Sequence, residues 1–239
     1  MSDWEPVDPE GRVRRAAYHF GSAGRANCTA VGLGDGRLVL CSPPGGPDAN
    51  ALFDRVNALG EVVAVVAPNG FHRVGMPMAA RRYANARLFA PEAAIGRVRK
   101  GVDATRAVRP LTELAATLPD GVEIFVPPHM KNPDTVLRVQ TTLGPVWTLH
   151  DLILNLDVVS SNPVERWLLG TLGYQVGLRV NRFGCRWVLL RDKPAFSAWL
   201  LDELRRMPPA AFSPGHGPVV RDAAGLARLT LLAEEIGGL

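Results

Sequence analysis

The chain has 239 residues, of which 47% are hydrophobic and 21% charged, a balance typical of a soluble globular protein. This composition excludes collagen-like and disordered chains, and the lack of an apolar run of about 18 to 20 residues argues against a membrane span. The chain has 27 basic and 23 acidic residues and therefore a net charge of +4. The basic residues lie in small groups mixed with acids and apolar residues. Because phosphate backbones require a continuous basic face, nucleic acid is not the expected partner.

The first ten residues contain four acids and no apolar stretch of the kind found in signal peptides, which predicts a cytoplasmic protein. The three cysteines form no Cys-x-x-Cys motif, so neither a disulfide framework nor a cysteine-rich zinc site is expected. We interpret Cys28 and Cys41, which flank a predicted turn, as small buried residues.

The predicted elements begin with a hairpin at residues 27–42. The turn Gly34-Asp35-Gly36 joins its two strands, because Asp-Gly supplies the positive φ angles of a tight hairpin turn. An apolar strand follows this turn, which excludes a nucleotide-binding glycine loop, since such a loop opens a helix. The next predicted elements are a helix at 48–59, a buried strand at 61–67, a helix at 72–83 and a strand at 86–90.

Strands pair directly in the middle of the chain, and helices dominate the remainder. The predicted strands are 122–126, which two prolines end, the antiparallel pair 135–142 and 145–150, and a short strand at 185–190. The predicted helices are 163–172, 194–207 and 222–236. No internal repeat or long linker divides the chain, so we expect one mixed α/β domain over residues 1–239, including the C-terminal helical elements at 163–207 and 222–236.

Four of the five histidines lie where a predicted strand gives way to a loop, the usual position of sites in open α/β sheets. His72 follows the strand 61–67, and His129 follows the strand 122–126 and two prolines. His150 and Asp151 end the strand 145–150, and His216 lies in a rigid proline- and glycine-rich loop. Each histidine alone is typical of a surface or core position, but their shared position indicates a common site.

Three segments, in the same order along the chain, resemble motifs of the metallo-β-lactamase fold superfamily. The first segment, at 122–129, is similar to the superfamily segment that ends in a metal-ligand histidine; it reads Val-Glu-Ile-Phe-Val-Pro-Pro-His. The second, at 146–152, is similar to the superfamily strand that ends in a bridging aspartate; it reads Val-Trp-Thr-Leu-His-Asp-Leu. Ser-Pro-Gly-His-Gly-Pro at 213–218 is similar to the loop with its last histidine. The resemblance covers residues 27–218 and implies an αββα sandwich, in which two mixed β-sheets pack together with helices outside.

The superfamily's His-x-His-x-Asp-His motif is degenerate in this chain. The corresponding residues 67–72 are Ala-Pro-Asn-Gly-Phe-His, so only His72 remains, and it best matches the final histidine because a predicted helix follows. The aspartate of the first hairpin is also missing, near Cys41 and Ser42. The resemblance therefore implies a divergent branch with too few ligands for a two-metal centre.

Carried over residue by residue, the resemblance implies a metal site made by His72, His129, Asp151 and His216. His72, Asp151 and His216 would hold one ion, with His129 as a fourth ligand or a nearby acid or base, and Asp151 and His129 are the expected catalytic residues. Two histidines and a carboxylate leave open positions for water and substrate. One zinc ion would lower the pKa of bound water toward about 7, and iron would suit the same ligands.

Two functions stay open at this point. The first is a mononuclear metal-dependent hydrolase of a small ester, thioester or amide, with a small molecule as its partner. The second is a pseudoenzyme without metal that serves in binding or assembly. The C-terminal helices could cover the site or make a homo-oligomer contact, and the sequence favours neither role.

The remaining polar candidates are interpreted as structural. His150 should face away from Asp151, because adjacent strand residues point to opposite sides, and His19 lies outside the matching segments. Asn69 could bind substrate, but capping of the following helix is favoured. The four tryptophans considered as core or rim residues are Trp147, Trp167, Trp187 and Trp199.

Overall fold

The structure, a computed structural model, describes residues 3–20, 24–159, 162–171 and 174–239. Its strands are β1 (Glu5–Pro6), β2 (Val13–Phe20), β3 (Gly24–Gly32), β4 (Arg37–Cys41), β5 (Glu61–Val66), β6 (Arg87–Ala90), β7 (Val108–Pro110), β8 (Val122–Phe125), β9 (Val136–Thr141), β10 (Gly144–Leu149), β11 (Ile153–Leu156), β12 (Gly177–Val180) and β13 (Ala211–Pro214). Its α-helices are α1 (Ala49–Val56), α2 (Met76–Arg82), α3 (Ile95–Val98), α4 (Leu111–Ala115), α5 (Pro163–Thr171), α6 (Lys193–Arg206) and α7 (Ala223–Gly237).

Two mixed sheets organise the described residues. The first has seven strands in the order β1 to β7, antiparallel as far as β4 and parallel from β4 to β7. The second has the order β13-β10-β9-β8, with β13 parallel to β10 and the other pairs antiparallel. Strands β11 and β12 form a separate antiparallel pair.

Apolar clusters hold these sheets and helices in four layers. Between the sheets, Val39 and Phe89 of the first sheet share a buried cluster with Leu137 and Val146 of the second. The outer face of the first sheet packs against α1 and α2, and that of the second sheet packs against α6 and α7. This is the predicted αββα sandwich, so the predicted fold class is confirmed.

Local sequence signals account for most of these elements. The β3–β4 hairpin turns at Gly34 and Gly36, whose φ angles are 94° and 79°. The buried residues of α1 recur at helical spacing and place one face of the helix against the first sheet. The Asp192 side chain accepts a hydrogen bond from the Ala195 amide (3.0 Å) and caps α6, close to its predicted start.

Some predicted elements require correction. The predicted strand at 185–190 is wrong, since Gly184–Leu189 forms a π-helical segment and only Leu190 makes a bridge, to Met130. Asn181 lies just before this segment, where its carbonyl accepts the Cys185 amide (2.8 Å) and its side chain accepts the Gly184 amide (3.0 Å). The second predicted helix begins at Met76 rather than residue 72.

Six strands were not predicted: β1, β2, β7, β11, β12 and β13. Within β2, Val13, Ala16 and Tyr18 are buried, but Arg14 and Arg15 interrupt the apolar pattern by which a buried strand is recognised. None of the helices in the described residues combines the length and apolar character needed to cross a bilayer.

Candidate metal centre

Three side chains that are distant in sequence meet at one point. Nε2 of His72 lies 3.2 Å from Oδ1 of Asp151 and 3.2 Å from Nε2 of His216. Nε2 of His216 lies 3.3 Å from the same Asp151 oxygen. In the part of the chain that the structure describes, no other three histidine, cysteine or acidic side chains converge in this way.

The second sheet places two of these residues side by side. Strands β10 and β13 are parallel neighbours, with Leu149 opposite Pro214, so Asp151 and His216 leave the sheet at the same edge. The Gly215 amide donates to the Leu149 carbonyl (2.7 Å), which continues the pairing one residue further. His72 arrives from the first sheet, in the segment between β5 and α2.

Gly217 holds the loop carrying His216 against the following strand. Its φ is 90°, in the left-handed region, and a Cβ at this position would lie 1.5 Å from the Asn155 carbonyl oxygen. The Asn155 amide donates to the His216 carbonyl (3.0 Å) at the same contact. Glycine is therefore required beside His216.

The spacing of the three donor atoms fits a single metal ion. A tetrahedron with ligand distances of about 2.0 to 2.1 Å has edges of about 3.3 to 3.4 Å, close to the separations of 3.2 to 3.3 Å between the donors of His72, Asp151 and His216. Two imidazole nitrogens and one carboxylate oxygen form a donor set that suits zinc or iron. The residues present therefore fit one such ion.

The outer nitrogens of the two imidazoles fix their orientation. Nδ1 of His216 donates to the Arg25 carbonyl (2.7 Å), so a neutral ring keeps the lone pair of Nε2 directed at the cluster. Nδ1 of His72 lies 2.8 Å from Oγ of Ser42, which also contacts the Tyr18 hydroxyl at 3.2 Å. Both contacts hold the rings with Nε2 directed at the cluster.

Asn69 connects the cluster to a second buried carboxylate. Its Nδ2 donates to Oδ2 of Asp151 (2.7 Å) and to Oδ1 of Asp134 (3.0 Å). Its Oδ1 accepts the amides of Phe71 and His72 at 2.8 Å each, so Asn69 caps a turn rather than α2. Asp134 also accepts the Asp151 amide (2.9 Å). One amide side chain therefore positions both Asp151 and the backbone of His72.

The two carboxyl groups have opposite pKa shifts. Burial opposes ionisation of Asp151, but the adjacent His72 and the hydrogen bond from His216 hold its pKa well below the usual range. Burial and the charge of Asp151 raise the pKa of Asp134 to about 6. Burial alone would lower the pKa of His72, but Asp151 outweighs burial and raises it. Asp151 therefore ionises before Asp134 and carries the negative charge next to the two histidines.

The structure does not bring His129 to the cluster. This residue is exposed, with φ of 62°, and its carbonyl accepts the Arg191 amide (2.8 Å). The Lys131 amide donates to the Leu189 carbonyl (2.7 Å) on the same segment. These bonds, together with the two prolines before it, hold His129 against the end of the π-helical segment. His129 therefore lies outside the group of three donors, and its role as a fourth ligand or acid/base stays a prediction.

The other candidates take the following positions. His150 is fully buried, with Nε2 3.7 Å from Cys41 Sγ, and it is not one of the three donors, although its ring centroid lies 5.3 Å from that of His72. His19 is exposed on β2 and lies 3.0 Å from Asp48. Trp147 is buried in the core, whereas Trp167 and Trp187 are exposed.

Sequence reasoning missed Asp134, Tyr18 and the role of Ser42. No sequence pattern marks Asp134, because it lies in a loop before β9. It reaches the Asp151 amide only because β9 pairs with β10. Ser42 has a positive φ of 56°, unusual for a residue other than glycine, at the end of β4. A polar residue directly after a buried strand is the signal that could have identified it.

A cavity of about 860 Å³ opens beside the three donors. His72, Asp151 and His216 contribute to its wall, together with Tyr18 of β2 and Arg25 of β3. Most of the remaining lining side chains are apolar, and they come from β11, α5 and the π-helical segment, and from the loop segments that contain Phe71 and Val158. Convergent polar groups on one side of an otherwise apolar cavity are typical of a small-molecule site.

Comparison with known proteins identifies relatives by structure alone. No protein-family model matches the sequence, and neither does any curated protein. The DIM-1 metallo-β-lactamase matches with a TM-score of 0.62 and 15% identity, over 98% of this chain and 97% of that one. The mono-zinc form of the metallo-β-lactamase FIM-1 from Pseudomonas aeruginosa matches with a TM-score of 0.61 and 13% identity, over 99% and 96%.

A flavodiiron core, Flv1 from Synechocystis, matches with a TM-score of 0.63 and 14% identity, over 99% of this chain and 61% of that one. At such identities the similarity establishes the fold, and it agrees with a divergent sequence. The two kinds of neighbour are named for different metals, zinc and iron.

Replacing Asn69 with leucine should lower zinc affinity about 10- to 100-fold, because the Asp151 carboxylate loses the donor that orients it. Competition with a chromophoric chelator measures the affinity. Asn57→Leu, an exposed asparagine after α1, is the matched control and should bind zinc like the wild type. Equal affinities for Asn69→Leu and the wild type would show that Asp151 does not depend on this hydrogen bond.

Proposed function

Because the chain has the metallo-β-lactamase fold, we propose that it is a hydrolase that uses one metal ion, held by His72, Asp151 and His216, to cleave a small ester, thioester or amide. The observation that carries this proposal is the match between the three donor separations and the edges of one coordination tetrahedron, at the wall of a large cavity. We propose zinc as the ion, with iron as the alternative that the same donors accept.

When bound, the ion would supply Lewis acidity, polarising the substrate carbonyl and lowering the pKa of bound water. Asp151 stays ionised and provides the only negative charge among the three donors, because the neighbouring histidines keep its pKa low. The outer hydrogen bonds of His72 and His216 hold both rings in one orientation. The cavity walls would orient the substrate and exclude bulk water.

The reaction needs no oxidant or reductant. A bond forms between a water oxygen and the acyl carbon, and the bond from that carbon to oxygen, sulfur or nitrogen breaks. One proton of the water ends on the leaving group. Asp151 serves in this scheme as an anionic ligand, since a carboxyl group with so low a pKa is a poor proton carrier at neutral pH.

A single ion is favoured over two by the donors that are present. The segment 67–72 offers one histidine, and Asn69 occupies the space next to Asp151 with an amide that donates its hydrogens to carboxylates. His129 lies outside the cluster among the described residues. A second ion next to the first would therefore lack ligands of its own.

One observation favours the second candidate, a binding protein without metal. The same separations of 3.2 and 3.3 Å also allow direct hydrogen bonds from the histidines to Asp151, so the cluster can be satisfied by protons alone. In this case the cavity would bind a small molecule without cleaving it.

Hydrolysis assays distinguish the two candidates. Untagged protein loaded with zinc, and separately with iron, is offered chromogenic esters, thioesters and lactams. The proposal expects turnover that a chelator abolishes and that Asp151→Asn reduces by several orders of magnitude. Loaded protein that cleaves none of these classes would contradict the hydrolase, and protein that also takes up neither metal would favour the binding protein.

A further inference from the structure

We propose that the cavity beside the three donors binds an unbranched acyl chain, which makes esters and thioesters of medium- and long-chain carboxylic acids the substrate class. The chemical step in this inference rests on the proposed function, whereas binding of the chain does not. Three observations carry it: the composition of the walls, the state of their polar groups, and the apolar residues at the mouth.

The walls provide a long apolar surface next to a polar point. Leu154 and Leu156 of β11 lie on one part of the wall, and Leu169 of α5 and Leu189 of the π-helical segment lie on others. The volume of about 860 Å³ is near the upper end for small-molecule sites and much larger than an acetyl group needs. A scissile carbonyl at the donors would leave the rest of this apolar surface for the acyl chain.

Two polar side chains of the wall, those of Asn181 and Tyr18, are already engaged by the protein. Asn181 donates to the Asp151 carbonyl (2.9 Å) and accepts the Gly184 amide (3.0 Å). The Tyr18 hydroxyl pairs with Ser42 at 3.2 Å. A sugar or nucleotide in this cavity would lose its water contacts with few protein partners in return, which costs free energy. An alkyl chain has no such requirement.

Apolar side chains also surround the mouth of the cavity. Phe71, Val74, Val158 and Phe183 all line the cavity, yet they are 40% to 60% exposed to solvent. Large apolar side chains gathered at one exposed place are typical of a ligand-binding groove. Arg25 at the same mouth faces Asp157 at 3.9 Å, so its charge is partly compensated. These residues extend the apolar path of the chain toward solvent.

Titration of the metal-free protein with hexanol, octanol and decanol tests this proposal, because neutral alkanols differ only in chain length. We expect affinity, measured by calorimetry, to rise about 15-fold for each added pair of methylenes, as about 0.8 kcal/mol per buried methylene requires. Leu156→Asn and Phe71→Ser, which place polar atoms in the wall and at the half-exposed mouth, should weaken decanol binding at least tenfold. Leu231→Asn, at an exposed apolar position on α7, is the matched control and should bind decanol normally.

Equal affinities for the three alkanols, or equal losses in Leu231→Asn and the cavity variants, would overturn the proposal. Chain-length dependence without any hydrolysis would support the acyl-chain site and contradict the proposed reaction. Hydrolysis with no dependence on acyl length would support the proposed reaction and contradict the acyl-chain site. The two proposals therefore fail separately.

Discussion

Replacing His216 with alanine should lower zinc affinity by more than about 100-fold. This loss exceeds the loss of about 10- to 100-fold expected when a residue that only hydrogen-bonds to a ligand is replaced. The substitution removes one of three donor atoms that lie 3.2 to 3.3 Å apart, and the two that remain cannot complete a stable coordination shell. The affinity is measured by competition with a chromophoric chelator at constant pH.

His129→Asn is the matched control for His216→Ala. It also removes one imidazole, and asparagine tolerates the positive φ of 62° at this position. Zinc affinity like that of the wild type is expected, because His129 is exposed and outside the cluster. A large loss in His129→Asn with little loss in His216→Ala would restore the sequence-based ligand assignment and contradict the structural one.

Replacing Gly217 with alanine should lower the free energy of unfolding by about 4 kcal/mol, since left-handed strain and a steric collision add together. The new Cβ would lie 1.5 Å from the Asn155 carbonyl oxygen, and φ at this position is 90°. The loop has to move away from β11, which also displaces His216. Denaturant unfolding measures the stability, and chelator competition measures the accompanying loss of zinc affinity.

Gly34→Ala separates the two contributions. Gly34 has a similar φ of 94°, but a Cβ there meets no atom within 4 Å. Only the backbone strain should remain, about 1 kcal/mol, with unchanged zinc affinity. Equal destabilisation in the two variants would mean that the contact of the loop with Asn155 is not important for stability.

The fold could be predicted because its main signals are local. The Asp-Gly turn, the helical spacing of apolar residues in α1 and the continuous apolar run of β5 each act within about ten residues. The order of these elements then limited the topology. Strand β2 was missed because charged residues interrupt its apolar pattern. The π-helical segment was missed because its apolar residues also fit a short strand.

Three of the four proposed ligands converge, and the sequence shows only part of the reason. Asp151 lies just after β10, which was predicted, whereas His216 lies just after β13, which was not, and the parallel pairing of these strands brings the two residues together. His129 also follows a strand, but the chain between β8 and β9 is bonded to residues 189–191, about 60 positions away. Such non-local backbone bonds cannot be inferred from strand-end positions.

The supporting hydrogen bonds could not be predicted for a related reason. Asp134 faces Asn69 from a segment 65 residues away, and Ser42 reaches His72 from a segment 30 residues away. The packing of the two sheets brings these side chains together, and no local sequence pattern indicates the contacts. The donors were thus accessible from the sequence, whereas the groups that orient them required the structure.

The metal content of untagged wild-type protein, purified without chelator and measured by elemental mass spectrometry, tests the central claim most directly. We expect one zinc or iron ion per chain, retained through gel filtration and lost in a His72→Ala, His216→Ala double variant. Wild-type protein that holds less than about one-tenth of an ion per chain, and still binds none after incubation with zinc or with ferrous iron, would contradict it.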